Sequence, residues 1–311
     1  MSLISESWKI TWRNKVLWIY GLVLSVSAGI FIFLDQTSDG GEKLTSAEMK
    51  VLETETQIFV EKHWVGIVII SAIALVIFCF IVWTLVISKI GLIHETGKIA
   101  QNNDSQYEPA NVKRGWAKGQ EKFWRVIGLD ILVVMAELIV IFAVKAPLSV
   151  LYKNGALSVA IPLTVFAVAI LIPFILMFFS IQILGLRKII LDDKKIFQAI
   201  LEAYDLFINH WKKIVLTALV LLSTIVVSGF LYMIVCSILL FPIAMIALVL
   251  SILVGMGAEG SLLGIMVFMI PSIPLCVFFA MIALVFQEST WSVLYQKIKK
   301  ISIERIQAEI R

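Results

Sequence analysis

Two carboxylates interrupt one apolar run: Asp130 and Glu137, within residues 126–144. Seven positions apart, they fall on one face of a helix. A carboxylate in hydrocarbon is costly, and it marks either a proton- or cation-handling face or a structural pair. Arg125 lies close enough in sequence to pair with Asp130. Gln182, in another apolar run, is a candidate partner for either acid. The remaining reactive side chains form no recognisable constellation. Cys79, Cys236 and Cys276 sit far apart in apolar runs, which suits small buried side chains and neither a disulfide framework nor a metal site. His63, His94 and His210 are scattered without ligand or protease spacing. The serines of the apolar runs lack a companion His or Asp at matching depth. The glycines at 255, 257, 260 and 264 match no phosphate loop. No catalytic residue, metal or cofactor is expected, and the chain reads as a non-enzyme.

The surroundings of these residues are lipid-like. The 311 residues are 60% hydrophobic and 15% charged, with a mean hydropathy of +0.98. A water-soluble fold cannot hide so much apolar surface, whereas transmembrane helices present it to hydrocarbon. The expected architecture is an all-α polytopic bundle in one membrane domain, 1–311, with spans at 16–34, 65–88, 126–144, 158–186, 213–237 and 261–287. Each is long enough to cross about 30 Å of hydrocarbon. Pro162, Pro173, Pro271 and Pro274 are read as kinks in the fourth and sixth spans.

With an inside N-terminus and six crossings, 21 of the 26 Lys and Arg residues fall on the inner side. That asymmetry places both termini in the cytosol. The net charge of +4, concentrated next to the spans, sets orientation and need not mean nucleic acid; no nucleic-acid partner is expected. The apolar stretch 238–256 would upset this balance as a seventh crossing, so it is read as a re-entrant hairpin covered by protein. Lys9, Arg13 and Lys15 precede the first run as they would a signal peptide. The run is longer than a signal core, and it is read as a retained span. In the acidic first outer loop, Thr45 and Glu48 form a capping box that opens a helix running into the second span.

One device recurs at the inner face. A cytosolic segment ends in an aromatic–basic pair, and a span follows at once: Trp12-Arg13, Trp124-Arg125 and Trp211-Lys212. These six residues are the expected interfacial anchors. In the third copy, Phe197, Leu201, Tyr204, Ile208 and Trp211 share an apolar face opposite Gln198, Glu202, Asp205 and Asn209, the pattern of a helix lying in the interface. Returning spans also match one another, with Ile90-Gly91-Leu92 resembling Leu184-Gly185-Leu186. The result is a pseudo-repeat of helix pairs. Glu288, just past the last span, is read as one more interfacial anchor.

The stretch Gly185-Leu186-Arg187-Lys188-Ile189-Ile190-Leu191-Asp192-Asp193-Lys194, continued by Phe197-Gln198-Ala199-Ile200 and Trp211-Lys212-Lys213, resembles the glycerophosphoryl diester phosphodiesterase membrane-domain family and related bacterial multi-pass proteins. The opening Trp12-Arg13-Asn14-Lys15-Val16-Leu17-Trp18 and the late Ser289-Thr290-Trp291-Ser292-Val293-Leu294-Tyr295 are similar to the same proteins. The resemblance implies a six-helix module in a bacterial inner or plasma membrane, without the catalytic barrel that carries the family's chemistry. The expected role is a non-enzymatic module acting through lipid or protein contacts, anionic headgroups among them. The alternative is a small transporter or channel that uses the Asp130/Glu137 face.

Overall fold

A computed structural model describes residues 3–26, 46–101, 108–254 and 257–310. The chain is a helical bundle, as continuous apolar runs in lipid require, because a helix satisfies its own backbone hydrogen bonds. Its helices are α1 (Leu3–Arg13), α2 (Leu17–Val26), α3 (Ser46–Gln101), α4 (Val112–Lys153), α5 (Leu157–Leu191), α6 (Ile196–Leu239), α7 (Phe241–Leu253) and α8 (Gly257–Ile310). Five of them, α3, α4, α5, α6 and α8, are long and apolar enough to cross a membrane. Of the first expected span, residues 16–26 lie within the described residues, and Leu17–Val26 is helical. Thr45 of the expected capping box lies outside them. The helices overrun the expected spans, most of all α3 and α8, which continue well past the apolar runs. α5 and α8 carry their interior prolines as continuous helices.

The stretch 238–256 holds the short helix α7, joined to α6 through a turn at Leu240 and packed against α8. Its 13 residues span only about 20 Å, short of a bilayer core.

The bundle is held together at its basic end. Within the crossing helices, at most 22% of the most apolar stretch is buried against protein. The fully buried side chains instead cluster at the basic ends of the apolar runs and just past them. Among the described residues they form three clusters. Ile90 and Ile93 of α3 meet Val126 and Leu129 of α4 and Leu186 of α5. Leu184 of α5 meets Ala203 and Leu206 of α6 and Trp291 and Tyr295 of α8. Ile10 of α1 and Tyr20 of α2 meet Leu92 of α3 and Val293 of α8.

These clusters reveal how the repeat closes. The start of α4 packs on the end of α3, and the start of α6 packs on the end of α5. α1 in turn packs on the end of α8, which makes the arrangement a closed ring. Each of these three contacts carries an ion pair: Arg114–Glu95 at 2.6 Å, Lys188–Glu202 at 2.7 Å and Lys297–Glu6 at 2.6 Å. Close approach is enforced by small residues. A Cβ on Gly119 would lie 2.8 Å from the backbone oxygen of Ile87, and one on Gly21 would lie 2.8 Å from that of Met281.

Candidate functional site: a buried ionic belt at the basic end

Asp130 and Glu137 do not form a joint site. Asp130 accepts a hydrogen bond from Gln182 Nε2 at 2.8 Å, which ties α4 to α5. Glu137, half-buried one turn-pair further along, has no hydrogen-bond or ion-pair partner among the described residues. Arg125 turns away from Asp130 and binds Asp193 at 2.6 Å. Among the described residues, neither acid lines the cavities of about 240 to 570 Å³ along α5, α6 and α8.

The strongest polar organisation lies one layer toward the basic end. Glu95 is fully buried near the end of α3. Arg114 grips it with two parallel bonds, Nε to Oε1 at 2.8 Å and Nη2 to Oε2 at 2.6 Å. The fork of a guanidinium matches a carboxylate in this way, with direction as well as charge. The Asn111 backbone N–H donates to Glu95 at 2.9 Å, and His94 lies 3.2 Å away. Burial pushes the Glu95 carboxyl up, but the bonds from Arg114, His94 and Asn111 outweigh it and hold the group down at about 2. The same motif starts α4, since Asn111 Oδ1 caps the helix by accepting from the Lys113 and Arg114 N–H groups. Arg114 also pairs with Glu108.

A second pair crosses the bundle. Arg187 is 1% exposed, and its Nη2 donates to Glu288 Oε2 at 2.7 Å. Burial pulls the guanidinium down and Glu288 works against that pull. Glu288, half-buried, therefore accepts from a buried arginine across the bundle and is no headgroup anchor. Its helix turns it inward against α5, which its place after an apolar run does not reveal.

A third cluster surrounds Asp192 and Asp193 at the end of α5. Asp192 accepts from Tyr295 Oη at 2.6 Å and from Lys299 Nζ at 2.7 Å, joining α5 to α8. Burial and the neighbouring Asp192 push the Tyr295 hydroxyl well above the ordinary phenol range. Asp193, with φ +56°, turns the chain toward α6 and pairs with both Lys122 and Arg125. Lys188 and Lys194 both reach Glu202, at 2.7 Å each. Burial raises the Glu202 carboxyl, and these two lysines more than offset it.

The aromatic–basic junctions take three local forms. Trp12-Arg13 stands at the break between α1 and α2, and Trp124-Arg125 lies inside the continuous α4. Trp211-Lys212 follows a kink at His210, where φ is −131° and ψ is 20°. All three tryptophans are exposed, Trp124 by 78%. The Lys212 ammonium sits 5.7 Å from the Trp211 ring centre, a cation–π distance. The expectation of three buried cysteines fails. Cys79 and Cys276 are exposed and face away from the protein, and only Cys236 is buried. His94 is buried beside Glu95. The apolar runs carry no signal for which face meets protein and which meets lipid, so cysteine depth could not be read from them.

No family model matches the chain, nor does any curated protein or solved structure. The resemblance to the phosphodiesterase membrane-domain family rests on the residues quoted for it.

Proposed function

We propose that the chain is a non-enzymatic membrane module that works at the cytosolic face of a bacterial inner or plasma membrane, through contacts with lipid and with protein. One observation carries this reading. The amphipathic segments turn their largest apolar side chains away from the bundle. In α6, small Ala199 and Ala203 face the protein, while Phe197, Leu201, Ile208 and Trp211 point outward at 72%, 66%, 51% and 51% exposure. α1 repeats the arrangement, with Ile4, Trp8 and Trp12 exposed on one stripe and Ser7, Ile10 and Thr11 buried. Such a stripe stays in water only at high cost, and it is satisfied by the headgroup–acyl boundary. With 21 of 26 cationic residues on that side, contact with anionic headgroups adds to the attachment.

The polar groups near the apolar runs support the same reading. Asp130 is engaged by Gln182, and the ionic belt ties helices to one another. Transport along the Asp130/Glu137 face requires that Glu137 exchange protons or cations. Liposomes holding wild type or Glu137→Gln, loaded with a pH- or ion-sensitive dye, test this. Negligible and equal leakage is expected. Flux through wild type that Glu137→Gln abolishes overturns the module reading in favour of transport.

A further inference from the structure

A cavity of about 240 Å³ lies between α5 and α6, with α8 behind it. Phe179, Leu222 and Ile225 border it and are exposed, so it is a crevice open to the surrounding lipid. Its wall on α6 runs from Val215 to Ile225, about 15 Å of helix. That is half of the roughly 30 Å of a hydrocarbon core. The two ends differ. Ile225 stands midway along the apolar run 213–237, at mid-bilayer depth, whereas Gln287 closes the run 261–287. α6 and α8 run antiparallel past one another, with the Tyr232 hydroxyl 3.5 Å from the Ser272 carbonyl oxygen. Counted from that contact, Gln287 is level with Thr217, near the Val215 end of the crevice.

Of the residues lining the crevice, only Gln287 and Trp291 carry a polar side-chain atom. Gln287 is half-buried, and its carboxamide has no hydrogen-bond partner among the described residues. Trp291, one turn further on the same face of α8, is 2% exposed, and its indole N–H has no acceptor among them either. Amide and indole donors left unpaired beside hydrocarbon are costly. The basic end of the crevice is therefore short of one kind of group, an acceptor oxygen.

We infer that this crevice seats one acyl chain of a phospholipid, and that Gln287 Nε2 donates a hydrogen bond to the ester carbonyl of that chain. Depth selects the ligand. In a leaflet the ester carbonyl sits at the boundary between headgroup and hydrocarbon, and the chain reaches toward the midplane. The same separation divides Gln287 from Ile225. Size agrees, because the volume is below the roughly 300–1,000 Å³ of a small-molecule site and suits a single chain without its headgroup. The lining holds no ionisable side chain. The headgroup stays outside at the membrane surface, and its charge does not enter the selection.

This inference rests on the membrane-module reading, and its test is separate from the flux assay. The full chain in detergent is titrated with dioleoyl phosphatidylcholine or with its dioleyl ether analogue, which keeps headgroup and chains but lacks both carbonyls. Adducts are counted by native mass spectrometry. One ester lipid per chain should bind at a concentration about threefold to tenfold below that needed for the ether lipid. Gln287→Leu should bring the two lipids within about twofold of each other, and Gln287→Met, closer in shape to the native side chain, should do the same. Phosphatidylglycerol in ester and ether form should show the same preference as phosphatidylcholine. Equal binding of ester and ether lipid by wild type overturns the inference and leaves water as the partner of Gln287. An ester preference that survives both substitutions, or one confined to a single headgroup, overturns it too. The flux assay reads Glu137 of α4, which does not line this crevice, so failure of the site and failure of the module reading are distinguishable.

Discussion

Arg187 and Glu288, 101 residues apart, meet at 2.7 Å inside the bundle, with the arginine 1% exposed. The pair joins the returning ends of α5 and α8 at the depth where the helices leave the apolar zone. A buried guanidinium held by a half-buried carboxylate matters less for net stability than for what happens when one of the two is removed. Arg187→Met strands the Glu288 carboxylate and should cost about 3–5 kcal/mol. The double variant Arg187→Met/Glu288→Leu should recover most of that loss. Thermal unfolding of the purified variants in one detergent checks the order, and a double variant as unstable as the single one contradicts it.

Glu95 makes stability depend on acid. Its folded value of about 2 lies below the ordinary 4.5. The unfolded chain therefore binds the proton first, and stability falls as pH falls. The contribution is complete above about pH 4.5 and disappears toward pH 2. Between pH 6 and 3 the wild-type melting temperature should drop more steeply than that of Glu95→Gln. At pH 7 the variant should already be weaker, by on the order of 3 kcal/mol. Parallel pH profiles for the two proteins would remove Glu95 from this role.

Asp193 serves two purposes that two substitutions separate. It holds φ +56° and pairs with Lys122 and Arg125. Asp193→Gly and Asp193→Ala both delete the ion pairs, but only glycine adopts the left-handed conformation freely. The glycine variant should melt about 2–4 °C above the alanine variant. Equal melting temperatures would show that the turn opens when the carboxylate is lost.

The Gln182–Asp130 bond lies within the apolar layer between α4 and α5. Hydrogen bonds between membrane helices contribute modestly, so Gln182→Leu should cost about 0.6 kcal/mol and no more than about 1.7. Steric trapping or denaturant unfolding in bicelles measures it. A larger loss would mean that Asp130 has no second way to be solvated.

The long helices, the basic end and the three aromatic–basic junctions were legible because they are local: an apolar run, a charge tally and an adjacent pair of residues. The amphipathic stripe of α6 was legible for the same reason, since 3.6-residue periodicity separates Phe197, Leu201 and Ile208 from Gln198 and Glu202. Glu95 and Glu288 were not legible. A carboxylate just beyond an apolar run looks like any solvated helix end, and only the docking of Arg114 from the next helix, or of α5 on α8, takes it out of water. Cys79 and Cys276 failed for the converse reason. In lipid an outward face is as apolar as an inward one, so hydrophobicity carries no depth. Ring closure of α1 on α8 joins the two ends of the described chain and leaves no trace in local pattern.

Everything proposed for the headgroups and the interfacial stripes requires that the ionic belt face the cytosol. A single cysteine at exposed Lys300, in a chain whose Cys79, Cys236 and Cys276 are replaced by serine or alanine, reports this with a membrane-impermeant maleimide. Labelling should occur in inverted membrane vesicles and be absent in intact cells. Labelling in intact cells would put the belt on the outer face and contradict the account.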